Sequence, residues 1–164
     1  ALKAALTGHL VFSTLHTNDA PSSITRLVNM GTPNYLISAA LTLIMAQRLA
    51  RKSCLDCRVL DENITPKLLN SIGFLPEQSA RAKIYKGGGC DECSGSGYKG
   101  RMGIYEILEI ESELKAGILS NLQQNELNAI AKKNGFRTMQ DMGQEMLLSG
   151  DLSFAEYERV LQSN

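Results

Sequence analysis

The chain has 164 residues, 43% hydrophobic and 21% charged, with 17 basic and 17 acidic side chains that cancel to a formal net charge of +0. That length allows one domain or two small ones with a real core, and the charge balance argues against a dedicated nucleic-acid binder, which carries a basic excess. No apolar run reaches the ~20 residues of a bilayer span, and no N-terminal stretch has the basic region, apolar core and cleavage site of a secretory signal.

Ala1 to Leu6 reads as the last turns of a helix stopped by Gly8, a beginning that points to an excised fragment. Residues 7–19, "TGHLVFSTLHTND", hold both histidines, His9 and His16. Val11, Phe12, Thr14 and Leu15 are strand formers bounded by Gly8 and Asn18-Asp19. As one extended strand, the histidines lie roughly 23 Å apart on opposite faces, so they cannot share one metal ion. A strand with an ordinary polar rim at each end is the plain alternative. Next, Asn18 or Asp19 offers an N-cap and Pro21 suits the first turn. Ile24, Leu27 and Val28 then make an apolar stripe ending at Gly31. Thr32-Pro33 starts a second helix expected to run to about Arg51. It is apolar nearly all round and therefore deeply packed, with Arg48, Arg51 and Lys52 complementing the dipole at its C-terminal end.

Composition changes at Ser53. From there to Arg101 lie all four cysteines, a short helical piece over 65–72 and the start of a glycine-rich stretch running from Gly87 to Gly103. Ile104 to Ile110 reads as a strand, and the chain beyond Glu111 as helical. Asn121 or Gln123 to Asn134 closes on Gly135, and Thr138 to Ser149 closes on Gly150. Ser153 with Glu156 forms a capping box for the last helix. Met139, Met142 and Met146 share one helical face, read as core rather than as a partner groove.

Cys54-Leu-Asp-Cys57 and Cys90-Asp-Glu-Cys93 are two C-x-x-C pairs. Each pair presents two thiolates from a tight turn, and two such turns close a tetrahedral shell around zinc. Paired disulfides would need an oxidising compartment, for which there is no targeting signal, and a redox dithiol would need one pair rather than two. Structural zinc is the reading favoured, and it contributes folding energy on the order of 10 kcal/mol in small modules. Gly95-Ser-Gly97-Tyr-Lys-Gly100 matches G-x-G-x-x-G, but it follows a cysteine knuckle and leads into a strand, so the dinucleotide reading fails its context. Cys90 to Gly97 also resembles the C-x-x-C-x-G-x-G repeat of J-domain chaperones, although Cys57 is followed by no glycines.

Three stretches together resemble one family, the secretion and pilus-assembly ATPases of bacterial type II secretion and type IV pilus systems. They are "AALTGHLVFSTLHTNDAPSSITRLVNMG", "AQRLARKSCLDC" and "GCDECSGSGYKGRMGIYEIL", in the family's order. The helical tail fits as well, so the resemblance covers nearly the whole chain. The first stretch is similar to the family's histidine box, and the cysteine insertion marks the assembly and export branch rather than the retraction branch.

The resemblance implies an α/β fold: residues 1–52 as the C-terminal portion of a RecA-like P-loop NTPase domain, 53–103 as a four-cysteine zinc module, and 104–164 as a mainly helical C-terminal subdomain. It implies that His16, at the strand's carboxyl end, senses or positions the terminal phosphate, a place that agrees with ligands lying beyond strand C-termini in open α/β sheets. His9 would be structural or face a neighbouring subunit, and Thr17 and Arg48 would lie near the nucleotide. The metal ligands are Cys54, Cys57, Cys90 and Cys93. Implied cofactors are structural zinc, with ATP and Mg2+ in the full-length protein. The implied setting is a homo-hexamer at the cytoplasmic face of the inner membrane, peripheral and without a transmembrane segment. Its partners there would be an inner-membrane platform and other secretion or pilus proteins, with no nucleic acid.

One departure matters. No G-x-x-x-x-G-K-[ST] loop occurs, nor the acidic strand that holds magnesium, both of which lie upstream in the family. Without the loop no backbone amides cradle phosphates and no lysine neutralises them, so the fragment alone is not expected to hydrolyse ATP. The alternative class is a non-enzymatic zinc-binding chaperone or adaptor module. A nucleic-acid zinc ribbon is disfavoured by the neutral charge and by 5% aromatic residues, none of them Trp. Lys83, Lys86, Lys99 and Arg101 form a local basic cluster, either a solvated rim or a docking face.

Overall fold

A computed structural model describes residues 1–162 of the chain. In order the elements are α1 (Leu2–Leu6), α2 (Ala20–Asn29), α3 (Asn34–Ala40), β1 (Leu43–Ser53), β2 (Arg58–Leu60), α4 (Pro66–Ser71), α5 (Pro76–Arg81) and β3 (Tyr85–Gly87). Then follow a 3-10 turn (Asp91–Cys93), β4 (Tyr98–Glu109), α6 (Ser112–Leu119), α7 (Gln124–Lys133), α8 (Met139–Ser149), α9 (Phe154–Tyr157) and a π-type turn (Glu158–Gln162). The fold is mixed α/β. Among the described residues β1 pairs with β4, and β2 pairs antiparallel with β3 in the register Arg58↔Gly87, Val59↔Lys86, Leu60↔Tyr85. No helix among the described residues is long and apolar enough to cross a membrane.

The chain divides into two compact units, the first holding 1–46 and 106–138 and the second 47–105 and the described residues from 139 onward. These boundaries fall inside β1 and β4 and between α7 and α8.

In the first unit, α2 starts as its sequence requires. Asp19 caps it by accepting from the Ser22 amide at 2.7 Å, and Pro21 sits in the first turn. Its buried residues Ala20 and Ile24 join Ile37 of α3, Leu108 of β4, Leu114 and Ile118 of α6, and Leu127 and Ala131 of α7 in one core. The Ser38 hydroxyl, on α3, donates to the Lys115 carbonyl at 3.1 Å.

Two expectations for this part of the chain are overturned. The helix read from Thr32-Pro33 to Arg51 ends at Ala40, and β1 follows. An all-round apolar run is compatible with helix or strand, and pairing decides between them. The Ile110 amide donates to the Thr42 carbonyl at 2.9 Å, at the entry to the β1–β4 pair. Along β1 the even-numbered residues from Ile44 to Ala50 face inward while Leu43, Met45, Gln47, Leu49 and Arg51 are exposed. Arg48, Arg51 and Lys52 are therefore strand residues, with no helix dipole to complement.

The strand read over the histidine segment also does not form. Residues 9–17 belong to no regular element, and Phe12 is 89% and Leu10 83% exposed. Strand formers need a neighbouring ladder to satisfy their amides and carbonyls, and no described strand pairs with this segment. The opposed-face geometry inferred for His9 and His16 lapses with it.

In the second unit, the loop between the cysteine pairs is folded. The helical piece expected over 65–72 forms as α4, with Thr65 outside it as the cap that accepts from the Leu68 amide, and Pro76 opens α5, for which the sequence reading has no counterpart. Leu69, Ile72, Phe74 and Ile84 are buried there. Gln144 of α8 donates to the Ile72 carbonyl at 2.8 Å, tying the loop to the tail. Of the methionine stripe, Met139 is buried and Met142 and Met146 half-buried, consistent with core.

Candidate metal centre

Two turns bring the cysteines together. β1 runs straight into Cys54, and the chain leaves Cys57 directly into β2. β3 ends at Gly87, just before the second turn, and β4 begins at Tyr98, just after it. The β2–β3 pair thus brings Cys57 and the second turn to the same end of one ribbon, although 36 residues separate Cys54 from Cys90 and Cys57 from Cys93. The turns also lock backbone to backbone. The Cys54 amide donates to the Gly97 carbonyl at 2.9 Å and the Gly88 amide to the Cys57 carbonyl at 2.8 Å.

Glycine is required where they touch. A Cβ on Gly87 would lie 2.0 Å from the Gly97 carbonyl oxygen, and Gly97, at φ +75°, would place a Cβ 2.8 Å from the Gly87 oxygen. The G-x-G pattern that failed as a dinucleotide loop is here a close-packing device between knuckles.

All four sulfurs lie within 4.8 Å of one another. The separations are 3.9 Å for Cys54–Cys90, 3.8 Å for Cys57–Cys93 and 3.7 Å for Cys90–Cys93. A tetrahedral shell with sulfur 2.3 Å from its metal has edges of about 3.8 Å, whereas a disulfide needs sulfurs about 2.05 Å apart. The four thiols are free. Cys54 and Cys93 are buried, Cys57 and Cys90 half-buried.

The donors around the sulfurs fit thiolates. The Gly89 amide points to Cys57 Sγ at 3.3 Å, and the Cys90 and Gly97 amides to Cys93 Sγ at 3.2 Å each. Burial pushes the Cys54, Cys57 and Cys90 thiols up, while the Cys90 and Gly97 amides help bring Cys93 down to about 6. Four acceptor sulfurs at tetrahedral spacing can hold one metal ion, and neither histidine is needed.

The other sequence-derived candidates are placed as follows. His16 is exposed, and its ring makes no hydrogen bond among the described residues. The His9 ring is exposed, with Nδ1 3.0 Å from the Thr7 hydroxyl. The Thr17 hydroxyl lies 2.8 Å from that of Ser23, and Arg48 Nη1 donates to the Val160 carbonyl at 2.8 Å. Of the basic cluster, Lys86 pairs with Asp61 at 2.8 Å and Lys99 with Glu92 at 2.6 Å and Asp56 at 3.8 Å, so Lys99 bridges the two knuckles.

Two buried carboxylates escaped sequence reading as functional groups. Glu106, on β4, accepts from the Ala20 amide at the start of α2, a partner 86 residues away. Of the capping box expected from Ser153 and Glu156, half forms. Ser153 accepts from the Glu156 amide at 3.3 Å, but the carboxylate turns inward to the Arg51 amide at 2.7 Å, Arg51 Nε at 2.9 Å and Arg159 Nε at 2.9 Å. Burial alone would push Glu156 up, and the bonds from Arg159 and Arg51 outweigh it, leaving the carboxyl at about 2. The signal available was an acidic residue set among the apolar positions Phe154, Tyr157 and Val160.

A family model described as "Type II/IV secretion system protein" matches residues 1–159. The chain is 43% identical over 161 residues to the type IV pilus assembly ATPase TfpB of Acinetobacter baylyi, covering 98% of the chain and 27% of that protein. To the type IV pilus assembly ATPase PilB of Thermus thermophilus it is 41% identical over 156 residues, covering 95% of the chain and 17% of that protein. To the putative type II secretion system protein E of Escherichia coli it is 38% identical over 160 residues, covering 98% and 32%. The chain thus spans between 17% and 32% of the length of these relatives.

Proposed function

This chain belongs to the type II/IV secretion system protein family, and from that membership we propose that it forms the C-terminal part of a motor ATPase powering type II protein secretion or type IV pilus assembly. The observation that carries the reading is a family match over residues 1–159, a span that takes in the histidine segment and both cysteine knuckles.

On this reading residues 1–52 end a RecA-like core. The exposed Leu10 and Phe12 then become interior once the rest of that core's sheet lies beside segment 9–17, which supplies the missing ladder. His16 stands at the carboxyl end of that strand to sense or position the terminal phosphate, with Thr17 and Arg48 in the nucleotide's vicinity. Cys54, Cys57, Cys90 and Cys93 hold zinc. The metal supplies a cross-link and no reactive position, because four thiolates fill its shell. The knuckles, braced by Lys99 and the Gly87–Gly97 contact, make 53–103 a rigid lever or docking surface toward an inner-membrane platform. The motor works as a homo-hexamer at the cytoplasmic face of that membrane.

ATP and Mg2+ are bound in the full-length protein, where a phosphate loop is supplied by sequence other than these 164 residues, in which none occurs. The chain alone therefore releases no phosphate from ATP in a malachite-green assay; steady turnover would contradict the reading. In the full-length protein, replacing Cys90 and Cys93 by Ser abolishes secretion or pilus assembly while nucleotide binding persists. Intact assembly in that variant would defeat the lever role.

A further inference from the structure

The geometry points to a binding site for a multiply charged phosphate in the cleft walled by Leu49, Ala50, Arg51, Arg101 and Arg159, an opening of about 470 Å³. That volume falls in the range of small-ligand sites. Three arginines line it, and among the described residues the one carboxylate paired with any of them is Glu156, which is fully buried and is shared by Arg51 and Arg159. Its two oxygens are consumed by the Arg51 amide, Arg51 Nε and Nη2, and Arg159 Nε and Nη2. The Arg51 guanidinium also lies over the Tyr98 ring, 4.1 Å from its centroid.

Two of the three forks are thus held in place from behind. Among the described residues, Nη1 of Arg51, Nη1 of Arg159 and the whole exposed Arg101 guanidinium keep unused donors. Three positive charges against one negative leave the cleft with a surplus of two. A single carboxylate would engage one fork and leave the others bare. A phosphate chain presents several oxygens to several forks at once, the geometry guanidinium favours. Because Glu156 and Tyr98 have already ordered Arg51 and Arg159, binding loses little side-chain freedom. The phosphate can come from a free nucleotide or polyphosphate, or from a phospholipid headgroup. The site does not depend on the motor reading, since its residues all belong to one compact unit.

The test titrates the zinc-loaded chain with pyrophosphate, with ATP, and with phosphatidylglycerol vesicles, following the Arg Nε–H resonances by NMR. Saturable shifts of Arg51, Arg101 and Arg159 are expected. Arg101→Gln weakens binding roughly tenfold or more, as loss of a charge-assisted contact does, and Arg101→Lys, which keeps charge but loses the fork, weakens it several-fold. Arg101 takes no part in the Glu156 pairing, and unchanged zinc content and melting temperature show that the variants fold. Pyrophosphate or ATP binding lost in Arg101→Gln supports the site with a soluble ligand. Vesicle binding alone, lost in the same variant, supports it with a headgroup. No saturable shift with any of the three, or equal binding by Arg101→Gln, overturns it.

Discussion

The cysteine knuckles and the histidine segment both carry side chains suited to ligands, yet they stand at opposite ends of self-sufficiency. In the knuckles each sulfur has companions at 3.7 to 3.9 Å, amides point at two of the sulfurs, and two glycines let the backbones touch. In segment 9–17 the rings are exposed, the large apolar side chains face outward and the backbone joins no ladder. A motif whose chemistry closes on itself folds wherever the chain goes; a motif that is one strand of a sheet is structured only by its neighbours.

The largest effect that would sharpen this contrast comes from the metal. Cys93→Ser, or stripping by a strong chelator, should cost on the order of 5 kcal/mol or more. Thermal melts would read the loss, and a colorimetric zinc assay should find about one ion per chain beforehand. Two glycines then compare the regions directly. Gly97→Ala sets a methyl against the Gly87 carbonyl at a positive φ, and should cost about 3 kcal/mol. Gly8→Ala, at φ +90° with nothing within 4 Å, should cost only the backbone term of about 1 kcal/mol. Equal losses in urea denaturation would erase the distinction.

Glu156→Gln should destabilise by about 2 kcal/mol, less than a fully buried pair because Arg51 and Arg159 are half exposed. The folded carboxyl at about 2 lies below its ordinary 4.5. Its contribution is therefore complete above pH 4.5 and is lost as pH falls toward 2. The gap between parent and variant, followed by denaturation across that range, should close in the same window. The smallest effect belongs to Phe12→Ser, which should leave the chain's stability within about 0.5 kcal/mol. A large loss would mean that segment 9–17 is packed after all.

Much of the site could be read in advance because its information is local. The C-x-x-C spacing dictates the turn, and the four sulfurs need only the β2–β3 ribbon to meet. The cap at Asp19 and the helix ends at Gly31, Gly135 and Gly150 are legible for the same reason: the cap's side chain and amide are three residues apart, and each glycine's positive φ is a property of its own backbone. The boundary at Ala40 was not, since Leu41 to Arg51 suits helix or strand and pairing with β4, some 50 residues later, decides. Nor was the inward turn of Glu156, whose partner Arg51 lies 105 residues away.

The amino-acid sequence by itself determined which residues can ligate a metal, where most helices begin and end, and the family to which the chain belongs. Those properties depend on side-chain chemistry at short spacing. Tertiary structure decided that β1 is a strand, that Gly87 and Gly97 serve to bring two turns into contact, and that a buried carboxylate gathers two arginines beside a third. Each of these depends on which distant backbone or charge arrives alongside, and burial sets the strength of that encounter only after the chain has closed.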